Sequence, residues 1–173
     1  NASTISHLAD GNFLEAIRLA NDSSGESFNQ KNFLPWMRLC FGLFEKENMV
    51  RLIDKVDEFS KIGRERQKNF LSFSLYIFRE CLMLHYTGGT LSKMSGQQLE
   101  EIKKFSRFVH EENILLLNEE FNSAITDIER NIHPKTLFLD LSLKAAKLLR
   151  IEPRPPAPSA LRESVLLADR RGE

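Results

Sequence analysis

Ile128-Glu129-Arg130-Asn131-Ile132-His133-Pro134-Lys135-Thr136-Leu137-Phe138-Leu139-Asp140-Leu141-Ser142-Leu143-Lys144-Ala145-Ala146-Lys147-Leu148-Leu149 is the stretch that decides the fold. It reads as the end of one helix, a tight corner from Asn131 to Pro134, and a second helix. Pro134 or Lys135 occupies the first turn of that helix, where a missing backbone N–H costs nothing. On a helical wheel Thr136, Asp140, Lys144 and Lys147 share one narrow stripe, whereas Leu137, Phe138, Leu141, Ala145, Leu148 and Leu149 share a broad one. Leu139 and Ala146 fall on a third side, with Leu143 at its polar edge. So much apolar circumference predicts a helix wrapped by its own domain, or covered by that domain on one side and by a partner on the other. The residues offered to such a partner are Leu139, Leu143 and Ala146, with Lys147 at the rim.

Upstream, the same helical period recurs. Residues 113–130 form the helix that enters the corner, and 97–109 form a surface helix with Leu99, Ile102, Phe105 and Phe108 inward. Residues 64–86 are apolar around most of the wheel and predict a central buried helix, ended by Thr87-Gly88-Gly89-Thr90. An amphipathic helix over 47–62 is closed by Gly63. A further helix spans 28–44, with Asn32 as its cap and Pro35 at its regular start. No alternating strand pattern appears, so the fold class is all-α, an antiparallel bundle of about six to seven helices.

The ends differ in kind. Residues 5–21 read as a helical corner around Asp10-Gly11-Asn12 followed by a short helix, and Asn21-Asp22-Ser23-Ser24-Gly25 reads as a boundary turn. Asn1-Ala2 reads as a cloning remnant before a C-terminal piece of a longer protein. After Arg150, Glu152-Pro153-Arg154-Pro155-Pro156-Ala157-Pro158 predicts an extended spacer, and 159–171 one more short helix or a loose tail. The divisions are therefore 1–22, 23–150 and 151–173.

Lysine plus arginine number 24 and aspartate plus glutamate 24, so the chain is neutral overall. A domain that binds nucleic acid through its backbone carries a basic excess, which argues against that function here. Lys61, Arg64, Arg66 and Lys68 form a small basic cluster that reads as a solvated helix start or, more sharply, as a phosphate contact in a larger assembly. Cys40 and Cys81 sit inside apolar helical patterns and read as buried free thiols of a reducing, cytoplasmic compartment, with a disulfide between them as the alternative. No run approaches the ~18 apolar residues of a membrane span. None of His7, His85, His110 or His133 follows an acidic residue by three positions, so the Glu-x-x-His pairs of a di-metal bundle are missing. Cys81 and His85 lie one turn apart without a second ligand pair. No cofactor, metal or catalytic constellation is expected.

The corner Asn131-x-His133-Pro134-Lys135, followed by Leu137-Phe138-Leu139-Asp140-Leu141, resembles the C-terminal segment of bacterial clamp-loader subunits. There Asn-x-Asn-Pro-Lys precedes an apolar helix that carries an acidic residue; His133 departs from the second Asn. Glu119-Glu120-Phe121-Asn122-x-Ala124 and Ile128-Glu129-Arg130 resemble the same family, in particular the delta-prime class of DNA polymerase III. With the helix around 70–84, the similarity spans most of 28–149. Leu8-Ala9-Asp10-Gly11-Asn12-Phe13-Leu14-Glu15-Ala16-Ile17 resembles the end of an AAA+ lid. Aligned on Gly11 and Ala16-Ile17, the phosphate-sensing arginine of the ATP-hydrolysing subunits falls on Leu14, which cannot supply its charge.

The resemblance implies a lid end over 1–22, a helical collar domain over 23–150 and a tail over 151–173. Its implied partners are the gamma/tau-type motor subunits and delta, held together for sliding-clamp loading in DNA replication. Catalysis by the chain alone, a cofactor, and direct contact with nucleic acid or membrane are not implied. The rival reading is a stand-alone helical protein–protein adaptor that recruits its partner through the Pro-rich spacer and last helix. A small-ligand-binding bundle would need a central pocket that the dense Phe and Leu pattern gives no reason to expect.

Overall fold

Aromatic side chains repeated at helical spacing need a common interior, and this chain builds one around Trp36. A computed structural model describes residues 23–87 and 97–154. Six helices follow in order among them: α1 (Ser23–Phe41), α2 (Lys46–Lys61), α3 (Arg64–Thr87), α4 (Gln97–Ser106), α5 (Glu111–Glu129) and α6 (Pro134–Leu148). The described residues contain no strand, so the expected all-α bundle is the observed fold. The readings of the lid corner and Leu14, of the turn at 88–90 and of the tail from Pro155 onward lie outside the described residues.

Trp36 of α1 is fully buried, with rings from four other helices around it. Phe59 of α2, Phe70 of α3, Phe121 of α5 and Phe138 of α6 have centroids 5.3, 5.4, 5.8 and 6.0 Å away. Such pairs contribute about 0.5–1.5 kcal/mol each beyond their area burial. The indole N–H donates to Ser142 Oγ at 2.8 Å, and the Ser142 hydroxyl donates to the Phe138 carbonyl at 2.6 Å. A polar pair in the centre of the core is thereby satisfied. Ser142 is a buried residue of α6 that the wheel of apolar residues did not single out.

α1 departs from the sequence reading. Its backbone is already helical at Ser23, Ser24 and Gly25, which the sequence reading places in a boundary turn, and Pro35 lies inside the helix rather than at its start. Proline there removes the bond to the Lys31 carbonyl and crowds it, at a cost of ~3 kcal/mol. The offset is burial: Phe33, Leu34, Trp36, Met37 and Cys40 all enter the core from this helix. A large apolar side chain contributes about 1.5–3 kcal/mol when buried. Asn32 is not a cap. Its amide donates to the Phe28 carbonyl (2.8 Å) and accepts from Lys55 Nζ (2.6 Å), which ties α1 to α2.

The later turns follow their local chemistry. Gly63 has a φ of 81°, the left-handed residue expected after α2. The Gln67 amide donates back to the Phe59 and Ser60 carbonyls, covering the end of α2. α4 stops at Ser106, short of the predicted 109, and α5 starts at Glu111. Buried Asn113 explains the earlier start: it accepts from the His110 backbone N–H and donates to the Phe108 and Leu148 carbonyls. One amide thus joins the ends of α4 and α6 to the beginning of α5.

Candidate protein interaction surface

The corner between α5 and α6 is built from neutral backbone bonds. Asn131 N–H donates to the Ile128 carbonyl and Ile132 N–H to the Asp127 carbonyl, both at 3.1 Å. Asn131 adopts φ 64°, so the pair forms the left-handed closure that ends many helices. Asparagine tolerates that conformation better than other residues with a Cβ. His133 is extended as the N-cap, and Pro134 is the first residue of α6. The His133 carbonyl accepts from Leu137 N–H.

Lys135 leaves the corner sideways. Its ammonium lies 2.6 Å from Asp57 Oδ1 of α2, and this hydrogen bond holds the Asp57 carboxyl below its ordinary range. At the other end of α6, the Arg150 guanidinium donates to the Phe41 carbonyl (2.6 Å) and lies 4.1 Å from the centre of the Phe44 ring. Asp57 is late in α2 and Phe44 just precedes it. The two pins therefore make α2 and α6 antiparallel neighbours.

That arrangement decides where the predicted partner residues go. Ala146 is 1 % exposed, which removes it from any partner surface and corrects the sequence reading. It stands one turn from Ser142, which accepts from Trp36 of α1, and one turn from Arg150, which donates to the carbonyl of Phe41 at the end of α1, so it lies in a row of α6 turned to the core. Leu139 is half-buried against the core, and Leu143 is 38 % exposed. They follow Lys135 by one and two turns. On α2, Ile53 (40 % exposed) and Met49 (39 %) precede Asp57 by one and two turns. Antiparallel packing sets these two rows side by side, with Val50 at 61 % on the outer edge. Lys147 is exposed beyond the row.

The α2 half does not emerge from a reading that treats all apolar residues of this helix as one inward face. Leu52, Val56 and Phe59 fill the core at i, i+4 and i+7. Against that stripe Ile53 falls about 100° and Val50 about 160° around the helix, a signal the spacing already held.

The remaining polar groups have other tasks. Lys144 pairs with Glu120 (2.8 Å) and Asp140 (3.0 Å), which hold its ammonium above the ordinary value and turn the polar stripe of α6 toward α5. In the basic cluster, Lys68 faces Glu65 (3.4 Å) and Glu129 (3.5 Å), while Lys61, Arg64 and Arg66 are exposed. Cys40 and Cys81 are buried free thiols. Burial pushes the Cys40 thiol up to about 12, and burial with the nearby Glu80 charge raises Cys81 further, so neither supplies a thiolate near neutral pH. His85 Nε2 lies 2.8 Å from the Ser106 carbonyl. Among the described residues no group of three or more His, Cys, Asp or Glu could hold a metal ion, and no helix is long and apolar enough to cross a membrane.

Comparison with protein families, with curated proteins and with solved structures finds no match to this chain.

Proposed function

We propose that the chain is the collar-forming helical domain of a bacterial clamp-loader subunit of the delta-prime class. It acts in the cytoplasm by binding neighbouring gamma/tau-type and delta subunits for sliding-clamp loading in DNA replication, and not by catalysis. The observation that carries this reading is the apolar double row of Met49 and Ile53 on α2 and Leu139 and Leu143 on α6, two helices tied by Lys135–Asp57 and by Arg150 over the Phe44 ring just before α2. Exposed apolar side chains grouped on one face favour a protein partner. The residues of the corner supply the family likeness.

The test is co-elution of the chain with the motor and delta subunits on a sizing column, at roughly tens of micromolar because each collar contact gains from ring avidity. Ile53→Asp with Leu143→Asp abolishes co-elution while the melting temperature stays near wild type. Retained binding by that double variant removes the row as the interface, and failure of the wild-type chain to bind either subunit removes the collar role. Truncation after Arg154 leaves binding intact, whereas an adaptor working through its tail loses it.

A further inference from the structure

A second concavity lies apart from the α2–α6 row. α1 and α4 approach each other through side chains more than backbone, with Phe33 against Phe105 at 5.6 Å and Phe41 against Phe108 at 4.7 Å. Between them opens a cleft of about 380 Å³. Its floor is Leu34, Met37, Phe41, Phe105, Phe108 and Leu149. Its rim is cationic on both walls, with Arg38 from α1 facing Lys104 and Arg107 from the α4 side, against the single carboxylate of Glu101. Arg38 and Lys104 are exposed and have no acidic partner among the described residues. The Arg107 guanidinium lies 4.7 Å from the centre of the Phe108 ring, leaving its edge free for an anion.

We infer that this cleft binds an acidic peptide segment of a partner through one apolar anchor side chain, with carboxylates on either side of the anchor. The volume is near the bottom of the ~300–1,000 Å³ range of ligand pockets, room for an anchor and not for a folded element. The cations stand on opposite walls, so a ligand with one carboxylate meets only one wall, whereas a peptide with acids flanking its anchor meets both. Like charges around an apolar floor also concentrate such a ligand before it docks.

The test is fluorescence anisotropy of a labelled Asp-Asp-Phe-Asp-Asp peptide with the full chain at low ionic strength. Saturable binding is expected, weakened at least about tenfold by Arg38→Glu with Lys104→Glu and to a smaller extent by Lys104→Gln alone. Arg51→Glu, an exposed charge reversal on α2, leaves it unchanged, and thermal melting shows that the variants remain folded. An Asp-Asp-Ser-Asp-Asp peptide binding equally well reduces the cleft to plain charge attraction and overturns the proposal. Insensitivity to the double reversal, or saturable binding of dodecanoate where the peptide fails, overturns it as well.

Discussion

Pro35 and Pro134 each lie in a helix, and they obey opposite rules. Pro134 opens α6 after an extended His133, where its missing N–H has no partner to lose. Pro35 interrupts α1 in mid-course, where a bond is lost, yet the helix runs on from Ser23 to Phe41. The next residue explains the difference. Trp36 carries the centre of the core, and a break at Pro35 would take Phe33 and Leu34 away from it. Local chemistry decides where a helix ends when little is buried across the joint; burial decides when the joint falls inside the core.

The strongest way to break that comparison is to remove the core's hold on α1. Trp36→Ala is expected to cost about 3–5 kcal/mol in urea unfolding, the range for deleting a large buried aromatic. Amide exchange then rises around 28–35 more than at the corner of α5 and α6. A loss under about 1 kcal/mol would mean that Trp36 is not what carries the helix past Pro35. Next in size come the prolines themselves, with opposite signs. Pro35→Ala restores the bond to the Lys31 carbonyl and is expected to stabilise by about 1–3 kcal/mol. Pro134→Ala loosens the unfolded chain without gaining a bond and is expected to destabilise by about 0.5–1 kcal/mol. Two variants of the same sign in thermal melts would show that both prolines answer to one rule.

Legibility in the sequence divides along the same line. The end of α2 at Gly63 and the corner at Asn131 to Pro134 are local, and residue type alone pointed to them. The start of α1 and the limits of α4 and α5 depend on Trp36 and Asn113, whose partners Ser142 and Leu148 are distant in the chain. The candidate surface is half legible. Leu139 and Leu143 follow from the wheel of α6, but Ala146 is lost to the core, and Met49 and Ile53 are gained from α2. One helix's wheel cannot say which of its flanks a neighbour will cover.

At the corner the expected effects are smaller. Asn131→Ala places a residue without a local hydrogen-bonding side chain at φ 64°, and should cost about 1–2 kcal/mol. Asn131→Gly, free of that penalty, should stay within about 0.5 kcal/mol of wild type. Equal losses from both would mean that the asparagine side chain, not its backbone conformation, is what the corner needs.

The smallest effect expected is that of charge. The Lys135 hydrogen bond lowers the folded-state pKa of Asp57 below the ~3.9 of an unfolded aspartate. The unfolded chain therefore binds the proton first as pH falls, and the pair's contribution, full above about pH 4, is lost as pH drops through the folded value. Carboxyl NMR should show an Asp57 midpoint below the ordinary one, restored upward by Lys135→Met. The stability difference between wild type and that variant should shrink in the same acid window. The bonds of Asn131 and Ile132 are neutral and do not titrate, so the corner itself stays closed while its tie to α2 lets go. If the difference instead persists below pH 2, Lys135 holds α2 through the packing of its aliphatic stem, and the corner is as independent of charge as Pro35 is of local sequence.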